Sequence, residues 1–371
     1  VRPFALLFLL AATAQAQPIV GNEVVWRTTS AAVTYKPALQ AARIAADGSG
    51  FVVAWSEVED GVSRAYAGRL DGLGRLATIG VHTTGAADAV SIAPFRDRYI
   101  AAWVEPSSTD ARPMLVTAAL DRGFQLLSSR FVAVTNGTPL VRTTPTRAYV
   151  GSGTLLYEVD GGAAPIRAYD HPRTLDDLTT AGEEVAFVEH SIAVALGLCG
   201  ISGVCSPGPT PKYSIGFVWL FHLSAGLTLP IQIDSLVAVS AGNDDHFLVM
   251  WAEYGTGTSV KASLFGSAFQ PFVVSPHGPA AADGVIQPQI AWDGKRWVAV
   301  WTRGGAIEGA VITPSLNIIP LSISARGTRP AIATARQGRF LVTYEVVDAG
   351  QRRLASRVIE LEPAGRERVV R

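Results

Sequence analysis

Ile290-Ala291-Trp292-Asp293-Gly294-Lys295-Arg296-Trp297-Val298-Ala299-Val300-Trp301 reads as strand, tight turn, strand. Asp-Gly between two apolar runs is a strong hairpin signal, because glycine takes the positive φ of such a turn without steric cost. The second run is almost continuously apolar, as a strand buried on both faces must be. Worn copies of this phrase recur along almost the whole chain.

Two clear copies are Phe51-Val52-Val53-Ala54-Trp55-Ser56-Glu57 and Tyr99-Ile100-Ala101-Ala102-Trp103-Val104-Glu105. In all, the copies place an aromatic anchor at Trp55, Trp103, Tyr157, Phe187, Trp251, Trp301 and Tyr344. The steps between anchors lie near 48 residues, except for one of 30 followed by one of 64. The third copy therefore reads as shortened and the fourth as expanded. A period of this length with strand signals alone is the mark of a propeller blade rather than a helical solenoid. No window shows the 3.6-residue period of an amphipathic helix.

The clearest unit divides into strand A from Pro288 to Trp292, strand B from Trp297 to Trp301, strand C from Ile307 to Ile312 and strand D from Ile318 to Ile323. Asp47-Gly48, Gly151-Ser152-Gly153, Gly242-Asn243 and Gln337-Gly338 fall at the equivalent A–B turn. Small residues on strand C (Gly68, Ala118, Gly216, Ala262, Gly309, Ser356) are expected to receive the next blade's anchor. The fold expected is all-β, a β-propeller of seven four-stranded blades, although six to eight fit the spacing. An orphan strand at Glu23-Val24-Val25-Trp26-Arg27 has the phase of a D strand and is expected to complete the last blade, removing open sheet edges. Arg368-Val369-Val370 is the alternative closing segment.

The chain has 371 residues, zero formal net charge, 48% hydrophobic and 17% charged residues, ample for a large core. Neutral charge argues against nucleic acid, which needs a concentrated basic surface, and against polybasic docking on membranes. Residues 1–16 read as a signal peptide: Arg2, an apolar run from Phe4 to Ala12, then Ala14-Gln15-Ala16 as the cleavage site. The apolar run is too short to span a bilayer. The mature chain, residues 17–371, is expected to be one propeller domain, secreted or periplasmic, monomeric and without a membrane span. Cys199 and Cys205 are expected to form a disulfide, since an exported protein favours that pairing and two thiolates cannot complete a zinc shell.

The Asp-Gly turn followed by an aromatic–apolar–Trp strand resembles that of exported bacterial β-propeller repeat proteins, over nearly all of residues 20–365. The motif is specific for architecture and silent on chemistry. The WD40 Gly-His…Trp-Asp signature is missing, and so is the Ser-x-Asp-x-Gly-x-Thr-Trp box of sialidases.

In a propeller the B–C and D–A loops share one face, where binding usually occurs. Two residues past the anchor stand Glu57, Glu105, Glu189 and Glu253, with Arg303 at that place in blade six. Glu158 and Glu345 are one residue out of phase. One reading makes these a ring at the mouth that binds a basic or sugar ligand or a calcium ion. Neighbouring sheets pack about 10 Å apart, too far for two such carboxylates to share one ion at about 2.3–2.6 Å. That spacing also exceeds the roughly 5–5.5 Å of a retaining glycosidase pair and borders on the inverting range. The competing reading is that each glutamate pairs with a strand-C arginine, Arg64 and Arg112 being candidates, or accepts backbone N–H groups of a loop. No other metal site and no cofactor is expected.

The insertion between His190 and Lys212 carries both cysteines and belongs to the same face; a long loop on a rigid scaffold is often functional. The six histidines are scattered, and no Gly-x-Ser-x-Gly elbow, Walker A loop or dinucleotide fingerprint appears. The function favoured is a binding or interaction module recognising an extracellular or periplasmic glycan, polymer or protein on the B–C loop face near blades three and four. A carbohydrate hydrolase or lyase working at the central mouth is the alternative, and fold alone does not choose.

Overall fold

The Asp293 hairpin is built by its own side chain. Asp293 Oδ1 accepts the backbone N–H groups of Lys295 (2.8 Å) and Arg296 (2.7 Å), while Gly294 takes a φ of 94°. The strand it launches, Trp297–Arg303, is buried from Trp297 to Thr302. It pairs antiparallel with Gln289–Trp292 on one side and Ala306–Ile312 on the other, and Ile318–Ser324 forms the outer edge.

This unit is repeated. The computed structural model describes residues 18–361 apart from 31–42, 49, 60, 82–86, 107–111, 136, 171–173, 182–183, 194–212, 221–226, 229–237, 243–246, 255–257, 266–270, 279–287, 337 and 349–350. The described residues form seven antiparallel sheets. Blade one is Arg43–Asp47, Gly50–Glu59, Val62–Leu70 and Leu76–Val81. Blade two is Asp88–Phe95, Arg98–Pro106, Pro113–Leu120 and Leu126–Val134. Blade three is Leu140–Thr143, Ala148–Ser152, Leu155–Val159 and Pro165–Asp170. Blade four is Thr174–Ala181, Glu184–Ala193, Tyr213–Leu220 and Leu227–Thr228. Blade five is Ala238–Ala241, Phe247–Tyr254, Thr258–Phe265 and Phe272–Gly278. Blade seven has Thr328–Arg336, Arg339–Asp348 and Gln351–Glu360 as strands A to C. Each A strand lies against the next around the ring, and that of blade seven lies against that of blade one. The protein is a seven-bladed β-propeller.

The apolar core lies between blades. One cluster joins Val52, Ala54 and Ala67 of blade one to Ile92, Tyr99, Trp103 and Val116 of blade two. Another joins Leu248, Met250 and Val260 of blade five to Trp297, Trp301 and Ile312 of blade six. Trp55, Trp103, Trp251, Trp301 and Tyr344 are buried anchors, as the repeat predicts.

The ring is closed by the N-terminal strand. Val24–Ser30 pairs antiparallel with strand C of blade seven, and Ile19–Val20 adds a second short pairing. The register slips between Val25 and Arg27, so Trp26 occupies a bulge, the device by which a strand re-aims a side chain. Trp26 then packs edge-on against Trp55 of blade one, ring centroids 5.2 Å apart. The alternative closing segment at 368–370 lies outside the described residues.

A second repeated turn, not anticipated from the sequence, joins strands C and D. Asp71, Asp121 and Asp160 each accept the N–H groups two and four residues on through Oδ1. The third residue on has a positive φ: Gly74, Phe124 and Ala163 at 80°, 66° and 61°. A strand-C hydroxyl of the preceding blade locks onto that turn: Thr117 Oγ1 donates to Ala163 O (2.7 Å), and Ser356 Oγ to Gly74 O (2.9 Å) across the closure.

Two expectations are corrected. Tyr157 is not an anchor on strand B; it lies on strand C of blade three, and Gly151–Gly153 belongs to the B–C connection. Blade three keeps all four strands. Counted from its A–B turn at Thr144–Arg147, the anchor position is Ser152, buried and hydrogen-bonded to Thr135 Oγ1 and Gly137 O, both at 2.8 Å. The missing ring is replaced by backbone: a Cβ on Gly137 would lie 1.9 Å from Gly153 N.

Nor do the small strand-C residues share a register. Gly68 faces Val53, Gly309 faces Val300 and Gly216 faces His190. At Gly68 and Gly309 the smallness serves their own sheet, whereas Ala262 lies in one buried cluster with Trp301 of the next blade, as expected. A Cβ on Gly68 would meet Thr78 O at 2.7 Å and its own blade's Trp55 at 3.3 Å; one on Gly309 would meet Ala299 O at 2.5 Å.

Candidate functional site

Residues i and i+2 of a strand project from the same face, so a glutamate two places past a tryptophan stands beside its ring. Trp55 Nε1 donates to Glu57 Oε1 at 2.6 Å, and Trp103 Nε1 to Glu105 Oε1 at 2.5 Å. A buried indole N–H needs an acceptor, and this one is supplied by the sequence itself. Where blade six has Arg303 instead, the acceptor comes from the facing strand: Trp301 Nε1 donates to Glu308 Oε2 at 3.2 Å, and the two residues are register partners. In blade seven the Tyr344 hydroxyl donates to Glu23 Oε2 at 2.6 Å, on the segment leading into the closing strand. Burial and the bond to Glu23 push the Tyr344 hydroxyl up to about 12.

Glu57 is further engaged. It is buried and takes a two-pronged ion pair from Arg27 of the closing strand, Nε to Oε1 at 2.6 Å and Nη2 to Oε2 at 2.8 Å. Its ion-pair partner is thus Arg27, thirty residues away across the closure, whereas Arg64 is its backbone partner in the sheet. Glu105 faces Met114 in the ladder. Glu345 is buried and paired with Arg352 and, at 3.7 Å, with Arg329. Glu158 lies on strand C with Arg147 at 3.7 Å and the Tyr169 hydroxyl at 3.3 Å.

Glu189 and Glu253 are on strand B of blades four and five, where they pair in register with Phe217 and Ser259; their side chains lie outside the described residues. Cys199 and Cys205 also lie outside the described residues, as does the signal segment. Ala193 and Tyr213, at the ends of strands B and C of blade four, are register partners. Among the described residues no group of three metal-capable side chains converges, and no helix is long and apolar enough to cross a membrane.

The B–C and D–A connections do share a face. Backbone N–H groups of the D–A segments donate to carbonyls beside the preceding B–C turns: Ala87 to Ser63 (2.7 Å), Thr135 to Pro113 (2.9 Å), Leu175 to Gly153 (2.8 Å) and Gly327 to Gly305 (2.7 Å). Between strand D of blade five and strands C and D of blade six lies a groove of about 710 Å³, whose lining includes Arg303 and Ala306 on either side of the B–C turn. Ser275 and Pro276 of blade five form one wall; Arg303, Glu308, Pro320 and Ser322 of blade six are on the other. Arg303, singled out because it interrupts the glutamate series, therefore lines a cavity. Its Nη1 donates to Pro276 O at 3.3 Å, and its Nε lies 3.5 Å from Glu308 Oε2.

On the opposite face a charged knot clamps blades one and two. Asp47 accepts Arg69 (2.9 Å) and the Tyr99 hydroxyl (2.6 Å) on Oδ2, and Arg122 (2.5 Å) on Oδ1. Arg122 also sits 4.8 Å over the Tyr99 ring. Burial pushes the Asp47 carboxyl up, but the Tyr99 hydroxyl and the two guanidiniums outweigh it and hold it below the ordinary carboxylate range. A smaller cavity of about 480 Å³ adjoins this knot. The sequence marked Asp47 only as a turn residue; nothing local announces arginines arriving from 22 and 75 positions away.

Among solved structures, the WD40 domain of Toxoplasma gondii coronin matches with a TM-score of 0.56 at 10% identity, over 95% of this chain and 90% of that one. The Dos1 propeller matches at 0.51 and 11% identity, over 92% and 96%. Both are propellers. No protein-family model and no curated protein matches the chain. At such identities the likeness is one of fold, and the missing WD40 signature agrees with that limit.

Proposed function

We propose that the chain is an exported bacterial binding module that holds an extracellular or periplasmic glycan, polymer or protein on its B–C loop face. The observation that carries this reading is the groove beside Arg303. Its volume of about 710 Å³ falls in the range of roughly 300–1,000 Å³ typical of ligand sites, and its lining includes Arg303 and Ala306, which flank the B–C turn. Export is supported by the leader at residues 1–16, and the reading takes the mature protein as a monomer.

The glutamates weigh the same way. A catalytic acid must present a free carboxyl oxygen to the substrate. Glu57 instead has a guanidinium across both oxygens and an indole N–H on one of them. The competing class, a carbohydrate hydrolase or lyase at the central mouth, would need a pair of acids free of such partners.

The test uses mature protein, residues 17–371, against immobilised glycans and candidate surface proteins, with and without calcium chelation. Retention without shortening of the polymer is expected, and it should survive chelation. New reducing ends or unsaturated sugar products would replace the binding reading with the enzymatic one.

A further inference from the structure

We propose that the groove between blades five and six is a subsite for a sugar acid, a uronate residue whose carboxylate is taken by Arg303. This rests on the binding reading above and names the ligand chemistry of its site.

The first observation is an unsatisfied cation. The Arg303 side chain is nine-tenths buried, yet its Nε and Nη2 have no hydrogen-bond partner among the described residues. Only Nη1 makes a hydrogen bond, a long one at 3.3 Å to Pro276 O. Glu308 stands 3.5 Å from Nε as an ion pair without a hydrogen bond to it, and its Oε2 receives the Trp301 indole. A buried donor left without an acceptor carries its full desolvation cost. An arginine fork offers parallel N–H groups that match a carboxylate bidentately. A carboxylate entering the groove would therefore satisfy donors that the fold leaves unused, after a small turn of the guanidinium towards the opening.

The second observation is the rest of the lining. Ser275 and Ser322 present hydroxyls that bond nothing among the described residues, suited to ring hydroxyls of a sugar. Pro320 and Ile318 give an aliphatic wall for the apolar face of a pyranose. The B–C turn beside the groove is two glycines, Gly304 and Gly305, with φ of 56° and 79°. A Cβ on either would meet nothing within 4 Å, so the turn itself is uncrowded.

The experiment titrates mature protein with galacturonate, glucuronate and mannuronate oligomers, with their methyl esters and with the neutral parent sugars, by calorimetry. At least one uronate series should bind saturably, and its ester and neutral parent at least tenfold more weakly. Arg303→Gln should weaken uronate binding at least tenfold while leaving the thermal midpoint unchanged or raised, which separates lost recognition from lost folding. Arg303→Lys should restore part of the affinity. Ester binding equal to that of the acid, unchanged binding by R303Q, or preference for an acidic peptide over every uronate would overturn the inference. Binding of a neutral glycan alone would also overturn it while leaving the binding module intact. Failure of every glycan, polymer and protein tested would remove both.

Discussion

Two places in the ring use the same three ingredients, a tryptophan anchor, a carboxylate and an arginine, to opposite effect. At the seam between blades seven and one, Trp55 bonds Glu57 at 2.6 Å, and Arg27 closes on both oxygens of the same carboxylate. Trp26 meets Trp55 edge-on, and Tyr66 stacks on it with centroids 5.6 Å apart. Between blades five and six, Trp301 bonds Glu308 at 3.2 Å, and Arg303 stands 3.5 Å from that carboxylate with two nitrogens unbonded. The difference comes from one register position. A glutamate two places past the ring shares its face, and a second cation can complete the set; an arginine there forces the acceptor to come from the next strand. The seam is saturated and structural, whereas the groove keeps unspent donors.

The comparison breaks first at Trp55. Trp55→Ala removes a ring that is 1% exposed and packed on two other aromatics. It should cost about 3–5 kcal/mol, the range for truncating a buried aromatic, read from denaturant unfolding. A loss below about 1 kcal/mol would show that the seam is not where closure is secured. Next comes Glu57→Gln, which keeps the shape and removes the charge. Arg27 and the indole then share a weaker acceptor, and about 2–3 kcal/mol should be lost. Because Arg27 is partly exposed, the double variant with Arg27→Gln should recover part of that loss; additive losses would mean the pair is not coupled.

The seam also has an alkaline limit. Tyr344 ionises near 12 in the fold against about 10 in an unfolded chain. The unfolded state therefore releases this proton first. Its contribution to stability is complete below about pH 10 and is lost as pH rises towards about 12, of order 2 kcal/mol in all. Tyr344→Phe should flatten the stability profile in that window. A profile unchanged by the substitution would show that the hydroxyl is not held by Glu23.

How much of this the sequence disclosed follows from the range of each interaction. Asp-Gly hairpins and apolar B strands are local, and both were legible. The closing strand was legible because Val24 to Arg27 had no other sheet to join. Blade three was misread for a physical reason: Ser152 replaces the anchor, and Tyr157, on the next strand, carries a similar Leu-Leu-Tyr-Glu phrase. The glutamate series was visible, and the i, i+2 geometry that makes it an indole cap was available from strand period alone. The Arg27–Glu57 pair was hidden, since it depends on a bulge at Trp26 and on the ring closing. The Asp47 knot was hidden for the same reason, its arginines coming from other strands. Arg303 could be marked as the odd member of its series, but the groove beside it is made by a neighbouring blade.

The smallest effect expected is also the sharpest comparison. Glu308→Gln is the same isosteric change as Glu57→Gln, made opposite the other tryptophan. Here the carboxylate has one long bond from the indole and a guanidinium beyond hydrogen-bond reach, and its side chain is 36% exposed. An amide oxygen can still accept the Trp301 N–H, and an ion pair this loose, solvated at its Glu308 end, contributes little. The cost should stay below about 1 kcal/mol, well under that of the seam. Equal costs at the two positions would mean that charge, rather than saturation of the carboxylate, sets the stability of each anchor. The groove would then lose its distinction from the seam.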